Sequence, residues 1–186
     1  MEMKWLEQEM KYDGTQLSPL FNYLNYGPLG NSIVGWRGAC DIPMDHIIDG
    51  EDLKEEALIK GDDMLHFVLE LFEFPLSSAV AFQRLMGDLL RTQLQSRNNQ
   101  AQSMERRGDD LYWSDKKFNI SIATCSSNSS LIHFGFNVKN AGTPVETCAL
   151  EDFGIDDVVG FGKTFMESVQ KEFLAIKRAT MKVRSF

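Results

Sequence analysis

The chain has 186 residues, 27 acidic against 19 basic side chains, and a formal net charge of −8. That excess of acid argues against a general nucleic-acid binder, because phosphate neutralisation needs a basic face, and points to a small molecule or a protein as partner. No apolar run approaches the roughly 20 residues of a membrane span, and the opening MEMKWLEQEM lacks the basic, apolar, small-residue order of a signal peptide, so a cytoplasmic protein is expected. One domain spanning residues 1–186 is expected at this length. The three cysteines, Cys40, Cys125 and Cys148, have no CxxC spacing and read as free thiols. The three histidines have no metal-ligand spacing, and no HExxH, GxSxG or phosphate-loop pattern occurs, so no metal site is expected.

In chain order, NSIVGWRGACDI (31–42) is β-branched and apolar behind the turn-forming YGPLGN, and predicts a strand. Residues 49–60 are open to either helix or loop. MLHFVLELF (64–72) is a continuous apolar run and predicts a buried strand. PLSSAVAFQRLMGDLLRTQLQSRN then carries Val80, Leu85, Leu89 and Leu90 at helical spacing behind a Pro-Leu-Ser start. DLYWS and KFNISIAT predict a hairpin turning near Ser114 and Asp115, with alternation placing Phe118, Ile120 and Ile122 on one face and Lys117, Asn119, Ser121 and Ala123 on the other. SSLIHFGFNV (129–138) is a further strand, NAGTPVETCALEDFGI a loop with a short helical turn, and DDVVGFGKTFMESVQKEFLAIKRAT a long helix with Val159, Phe165, Val169, Phe173 and Ile176 as its apolar stripe. The GFGK within it reads as packing. The sum is an α+β fold, a mainly antiparallel sheet packed by helices.

Several side chains in this frame can carry chemistry. Lys117, after the hairpin and on its polar face, can reach into a cleft as a mobile point charge for a phosphate or an oxyanion, although most such lysines are solvated edge residues. Asp109 and Asp110 can orient a ligand's N–H groups, or simply form a turn. Arg37 precedes Gly38, where backbone can approach a ligand closely. His66 and His133 lie in apolar strands, where a histidine is more often a hydrogen-bonded core residue than a ligand.

The order of a strand ending in Arg-Gly, an apolar strand, a helix, a GDDLY hairpin into KKFNISIAT and a strand of HFGFNV type resembles the catalytic core of the biotin and lipoate protein ligase superfamily, whose fold is shared with class II aminoacyl-tRNA synthetases. In that resemblance Lys117 matches the lysine that contacts the acyl-adenylate, Asp109 and Asp110 match an Asn-Asp pair, and Asn137 matches a later asparagine. Nearly the whole chain also resembles an uncharacterised archaeal and bacterial family of this fold, through GNSIVGWRGACDI, DDMLHF, RRGDDLYW, KKFNISIAT, LIHFGFNV, GTPVET and the closing KVR. The chain departs from the ligases in three places. The glycine-rich loop is reduced to WRGACD, Ile120 stands where the ligases carry a small residue, and Asp109 replaces an asparagine.

The resemblance implies three readings. The first is activation of a small carboxylate with ATP and Mg2+, with Lys117 on the adenylate and Arg37 on phosphate. The second is ATP-independent acyl transfer through Cys148, which sits where the octanoyl transferases of this fold carry their cysteine. In the third, the pocket binds or processes a heterocyclic metabolite held by Asp109, since a carboxylate only accepts hydrogen bonds and suits a ligand with paired N–H donors. The expected catalytic residues are Lys117 and Cys148. The expected ligand-binding residues are Arg37, Gly38, Asp109, Asp110, Ser121, His133 and Asn137. A homodimer is expected from the fold, and the basic closing segment KRATMKVRSF is a candidate dock for an acidic carrier protein as well as a complement to the end of the last helix.

Overall fold

The computed structural model describes residues 1–184. The expected strands form the middle of a five-stranded sheet. Strand β2 (Ser32–Ile42) pairs antiparallel with β3 (Ile59–Phe72), β3 with β8 (Ser129–Asn137), and β8 with β7 (Asn119–Cys125). A short N-terminal strand, β1 (Glu2–Trp5), lies parallel to β2 and completes the order β1-β2-β3-β8-β7. Nothing in the short run EMKW marks it as a strand.

Strand β3 is buried without interruption from Met64 to Leu71, as its unbroken apolar run requires of a strand covered on both faces. Alternation divides it. Leu65, Phe67, Leu69 and Leu71 enter the main core, whereas Met64 and Val68 enter a second, smaller cluster with Tyr12, Val34, Trp36 and Cys40 on the opposite face. The main core is made by two long helices, α3 (Leu76–Arg97) and α4 (Val158–Met181). On α3 the buried line runs through Ala79, Phe82, Met86, Leu90 and Leu94, so the expected stripe is rotated: of its four residues only Leu90 is fully buried. On α4 the buried residues are Phe161, Gly162, Phe165, Met166, Val169 and Phe173. Gly162 serves close packing, because a Cβ there would meet Leu65 and Trp5 at 2.9 Å.

Residues 49–60 resolve into a short helix, α2 (Gly50–Glu55), capped by the Asp49 carboxylate, and the start of β3. A second short helix, α1 (Phe21–Tyr26), begins at Leu20, whose N–H is accepted by the buried carboxylate of Glu70.

The hairpin forms a separate three-stranded ribbon, β4 (Glu105–Arg107), β5 (Asp110–Trp113) and β6 (Lys116–Lys117). Its β5–β6 turn falls at Ser114 and Asp115, with φ of 51° and 64°, the left-handed pair of a tight two-residue hairpin. The alternation expected through KFNISIAT does not hold, because the chain leaves the ribbon at Phe118 and enters the main sheet at Asn119. Phe118 is buried in the helix-side core, while Ile120 packs against the second cluster. Ser121 is hydrogen-bonded to Gln83 on α3, and Ala123 packs against the helix-side core, so the polar-looking face of this strand is turned toward a helix.

Candidate functional site

The helices cover one face of the sheet. The other face holds a cavity of about 440 Å³. Met64, Ile120, Ile122, Tyr12 and His133 line it from the sheet and its second cluster. Ile47, Ile48, Asp49, Glu51 and Asp52, with Ala57 and Leu58, line it from the α2 segment, Thr143 to Val145 from the loop after β8, and Asp109, Asp110 and Lys117 from the ribbon.

Strand β6 delivers Lys117 to this cavity, where its Nζ lies 2.8 Å from Asp110 Oδ2. Both partners are largely withdrawn from water, with side-chain exposures of 31% and 23%. Burial pushes the Asp110 carboxyl above its ordinary range despite Lys117, with Asp109 and Asp52 adding repulsion. Burial works against the charge on Lys117, but Asp110 outweighs it, so the ammonium holds its proton more firmly than usual, with help from Tyr112 and Asp52. Asp52 is also raised, by burial and by Asp49. Asp110 thus pairs with the lysine, and Asp52 and Asp109 add negative charge around the pair.

Neighbouring polar groups hold this cluster in place. Asn119 donates to the Asp109 carbonyl and accepts from the Leu111 N–H, pinning the turn that presents both aspartates. Gln83 reaches from α3 to Asp109 Oδ2 at 3.1 Å and to Ser121 Oγ at 2.8 Å. Ser121 lines the cavity and also braces the Asp109 backbone. Asn137 donates to the carbonyls of Cys148 and Lys117, so its amide fixes the strand that carries the lysine.

Other expected site residues are placed elsewhere. Arg37 is spent on a two-point ion pair with Asp63, Nε to Oδ1 at 2.7 Å and NH2 to Oδ2 at 2.6 Å, and does not line the cavity. The alternation of β2 sends it to the face shared by Ile33 and Gly35, the helix side. Gly38 admits backbone, but that of its own chain: a Cβ there would lie 2.1 Å from the Met10 carbonyl oxygen. Cys148 is fully buried in the helix-side core, its Sγ donating to the Lys116 carbonyl at 3.3 Å, and burial pushes its thiol up to about 12. That environment favours the neutral thiol over the thiolate.

His133 lines the cavity as expected, in company that sequence does not reveal. Its ring stacks on Tyr12 with centroids 3.6 Å apart and planes within 6°, and its Nε2 lies 3.2 Å from Nδ1 of His66. Tyr12 and Asp52 are among the lining residues that sequence reading does not single out. Tyr12 belongs to a segment without pattern, and Asp52 to a run of acids that looks like an ordinary solvated helix; among the described residues only their three-dimensional setting sets them apart.

Among solved structures the chain is similar to a protein of unknown function from Pyrococcus horikoshi, with 36% identity, a TM-score of 0.93 and coverage of 100% of this chain and 98% of that one. It is similar at lower identity, 14%, to the biotin protein ligase of Aquifex aeolicus, with a TM-score of 0.61 over 95% of this chain and 71% of the ligase. The fold is therefore that of the biotin and lipoate protein ligases. The uncharacterized protein MJ0805 of Methanocaldococcus jannaschii is 31% identical over 184 residues, 96% of this chain and 82% of the relative. Residues 1–184 match a family described as a domain of unknown function, DUF366, and the chain belongs to that family.

Proposed function

We propose that the protein binds a small molecule in this cavity and that Asp109, Asp110, Asp52 and Lys117 recognise a pole of it rich in N–H groups, such as an amine or the amidino edge of an amino-heterocycle. The observation that carries the reading is the set of half-buried carboxylates beside Lys117, where Asp110 pairs with the ammonium and Asp52 and Asp109 add negative charge, while the cavity's other lysine, Lys60, is drawn to Asp41 at 3.1 Å. Among the described residues no donor reaches one carboxylate oxygen of Asp109, while Gln83 orients the other. Carboxylates in that state accept paired N–H donors and repel anions.

Activation of a carboxylate by ATP is the second reading. The likeness to biotin protein ligase, which has been solved in complex with biotin and ATP, favours it. Against it stand the pairing of Arg37 with Asp63, the pairing of Lys60 with Asp41 and the acidic wall around Lys117. Acyl transfer through Cys148 would require the thiol to leave the core.

A thermal-shift panel separates these readings. Amines and amino-heterocycles are tested in parallel with ATP and Mg2+ plus biotin, lipoate or octanoate. The expected result is a rise in Tm with an N–H-rich compound that is lost in Asp109→Asn and Asp110→Asn. A rise that demands both ATP and a carboxylate, and that disappears in Lys117→Ala, overturns the proposal in favour of adenylation.

A further inference from the structure

Behind the carboxylate cluster, on the sheet side of the cavity, lies a pair of fully buried histidines. His66 Nε2 lies 3.2 Å from the Gly38 carbonyl oxygen, and His66 Nδ1 lies 3.2 Å from His133 Nε2. A carbonyl only accepts, so His66 carries its proton on Nε2. Burial keeps both rings neutral: it pushes His66 down to about 4, and it holds His133 well below its usual range with His66 adding to the effect. A neutral His66 with its proton on Nε2 has a bare Nδ1, and that acceptor must be met by the proton of His133. The His133 proton is therefore on Nε2, and its Nδ1 is left as a lone pair with no hydrogen-bond partner among the described residues.

The ring that carries this lone pair cannot turn away easily. It is stacked on Tyr12, it is only 2% exposed, and a Cβ on Gly135 would touch it at 3.2 Å, so the glycine leaves room for it and little more. What exposure remains belongs to a side chain that lines the cavity. An acceptor in such a place is met by whatever donor enters the cavity, water or ligand.

We propose that Nδ1 of His133 is a neutral hydrogen-bond acceptor for the cavity's ligand, and that the Gly38–His66–His133 chain fixes it in that state. It reads an N–H or O–H donor without contributing charge, at the sheet-side floor, while the carboxylates read the ligand's other donors. The inference rests on the small-molecule reading above and adds to it a second, uncharged pole of recognition. A ligand presenting a carbonyl or ether oxygen to this floor meets lone pair with lone pair and is rejected.

Imidazole 15N NMR of the intact protein, titrated with isocytosine (2-aminopyrimidin-4-one) as the probe, tests it. In the free protein both buried histidines are expected in the Nε2–H tautomer, and isocytosine is expected to shift the His133 Nδ1 resonance. His133→Phe, which keeps a ring against Tyr12, is expected to weaken isocytosine binding about tenfold, and His133→Gln, which keeps an acceptor, to recover part of it. A proton found on Nδ1 of His133 in the free protein overturns the inference. If isocytosine moves the backbone amide signals of Lys117 and Asp110, followed in the same titration, but not His133, the inference fails and the small-molecule reading stands. If it moves none of these, both fail.

Discussion

At the scale of single residues, burial decides protonation, and protonation can be read from stability. His66 and His133 are neutral in the folded chain, whereas the unfolded chain protonates them near the ordinary value of about 6.5. Below that pH the unfolded state binds more protons, so stability falls as pH falls, and for His66 the loss runs down to about pH 4. The expected slope is up to about 1.4 kcal/mol per pH unit for each histidine. Urea titrations between about pH 7.5 and pH 5 measure it, and a flat profile there contradicts the buried neutral pair. The cysteines divide in the same way. Burial pushes Cys40 and Cys148 up to about 12, while Cys125 is exposed. A thiol reagent at mildly alkaline pH is expected to modify Cys125 quickly and the other two only on unfolding, with mass spectrometry assigning the sites. Sequence alone brings Lys117 near the Asp109–Asp110 pair, since the hairpin chemistry that makes them neighbours is local. It cannot show that Arg37 meets Asp63, because that pairing depends on how two strands 26 residues apart come into register.

At the scale of elements, long apolar runs are legible and short polar ones are not. β2, β3 and β8 announce themselves because their residues are buried on both faces, and the two long helices because apolar residues recur at helical spacing over about three turns or more. β1 escapes notice because its four residues gain their partner only after β2 exists, and β7 misleads because one irregular residue, Phe118, reverses which side is buried. Two substitutions test the packing. Met86→Ala, in the middle of the α3 buried line, is expected to cost about 2–5 kcal/mol in denaturant unfolding. Gly38→Ala drives a methyl into the Met10 backbone, and the strand segment or the 9–12 segment must shift. About 1–3 kcal/mol of destabilisation is expected, seen as a lower Tm. A substitution tolerated without loss would show that this backbone contact is not a constraint.

At the scale of the whole molecule, one sheet separates two unlike environments. The helix side is a continuous aromatic and aliphatic core joining α3, α4, β3, β7 and β8. The other side has a smaller cluster, Tyr12, Val34, Trp36, Cys40, Met64 and Val68, partly covered by the N-terminal segment and α1, and beside it lies the cavity. The acidity of the chain is carried into that cavity through Asp49, Glu51, Asp52, Asp109 and Asp110, so raised salt is expected to weaken binding of a cationic probe more than that of a neutral one, as isothermal titration would measure. Among the described residues no helix is long and apolar enough to cross a membrane.

The segment from Met44 to Leu58 is built differently from everything beneath it. Helix α2 has no buried residue, and Met44, Ile48, Leu53 and Leu58 are all exposed. Few contacts resist its detachment beyond Ile47 and the His46 bond to the Asp13 carbonyl. Such a segment opens at a free energy far below that of global unfolding. Its amides should exchange with deuterium long before those of β3, and traffic into and out of the cavity should then run at the pace of that opening: the observed association rate would climb with probe concentration and level off.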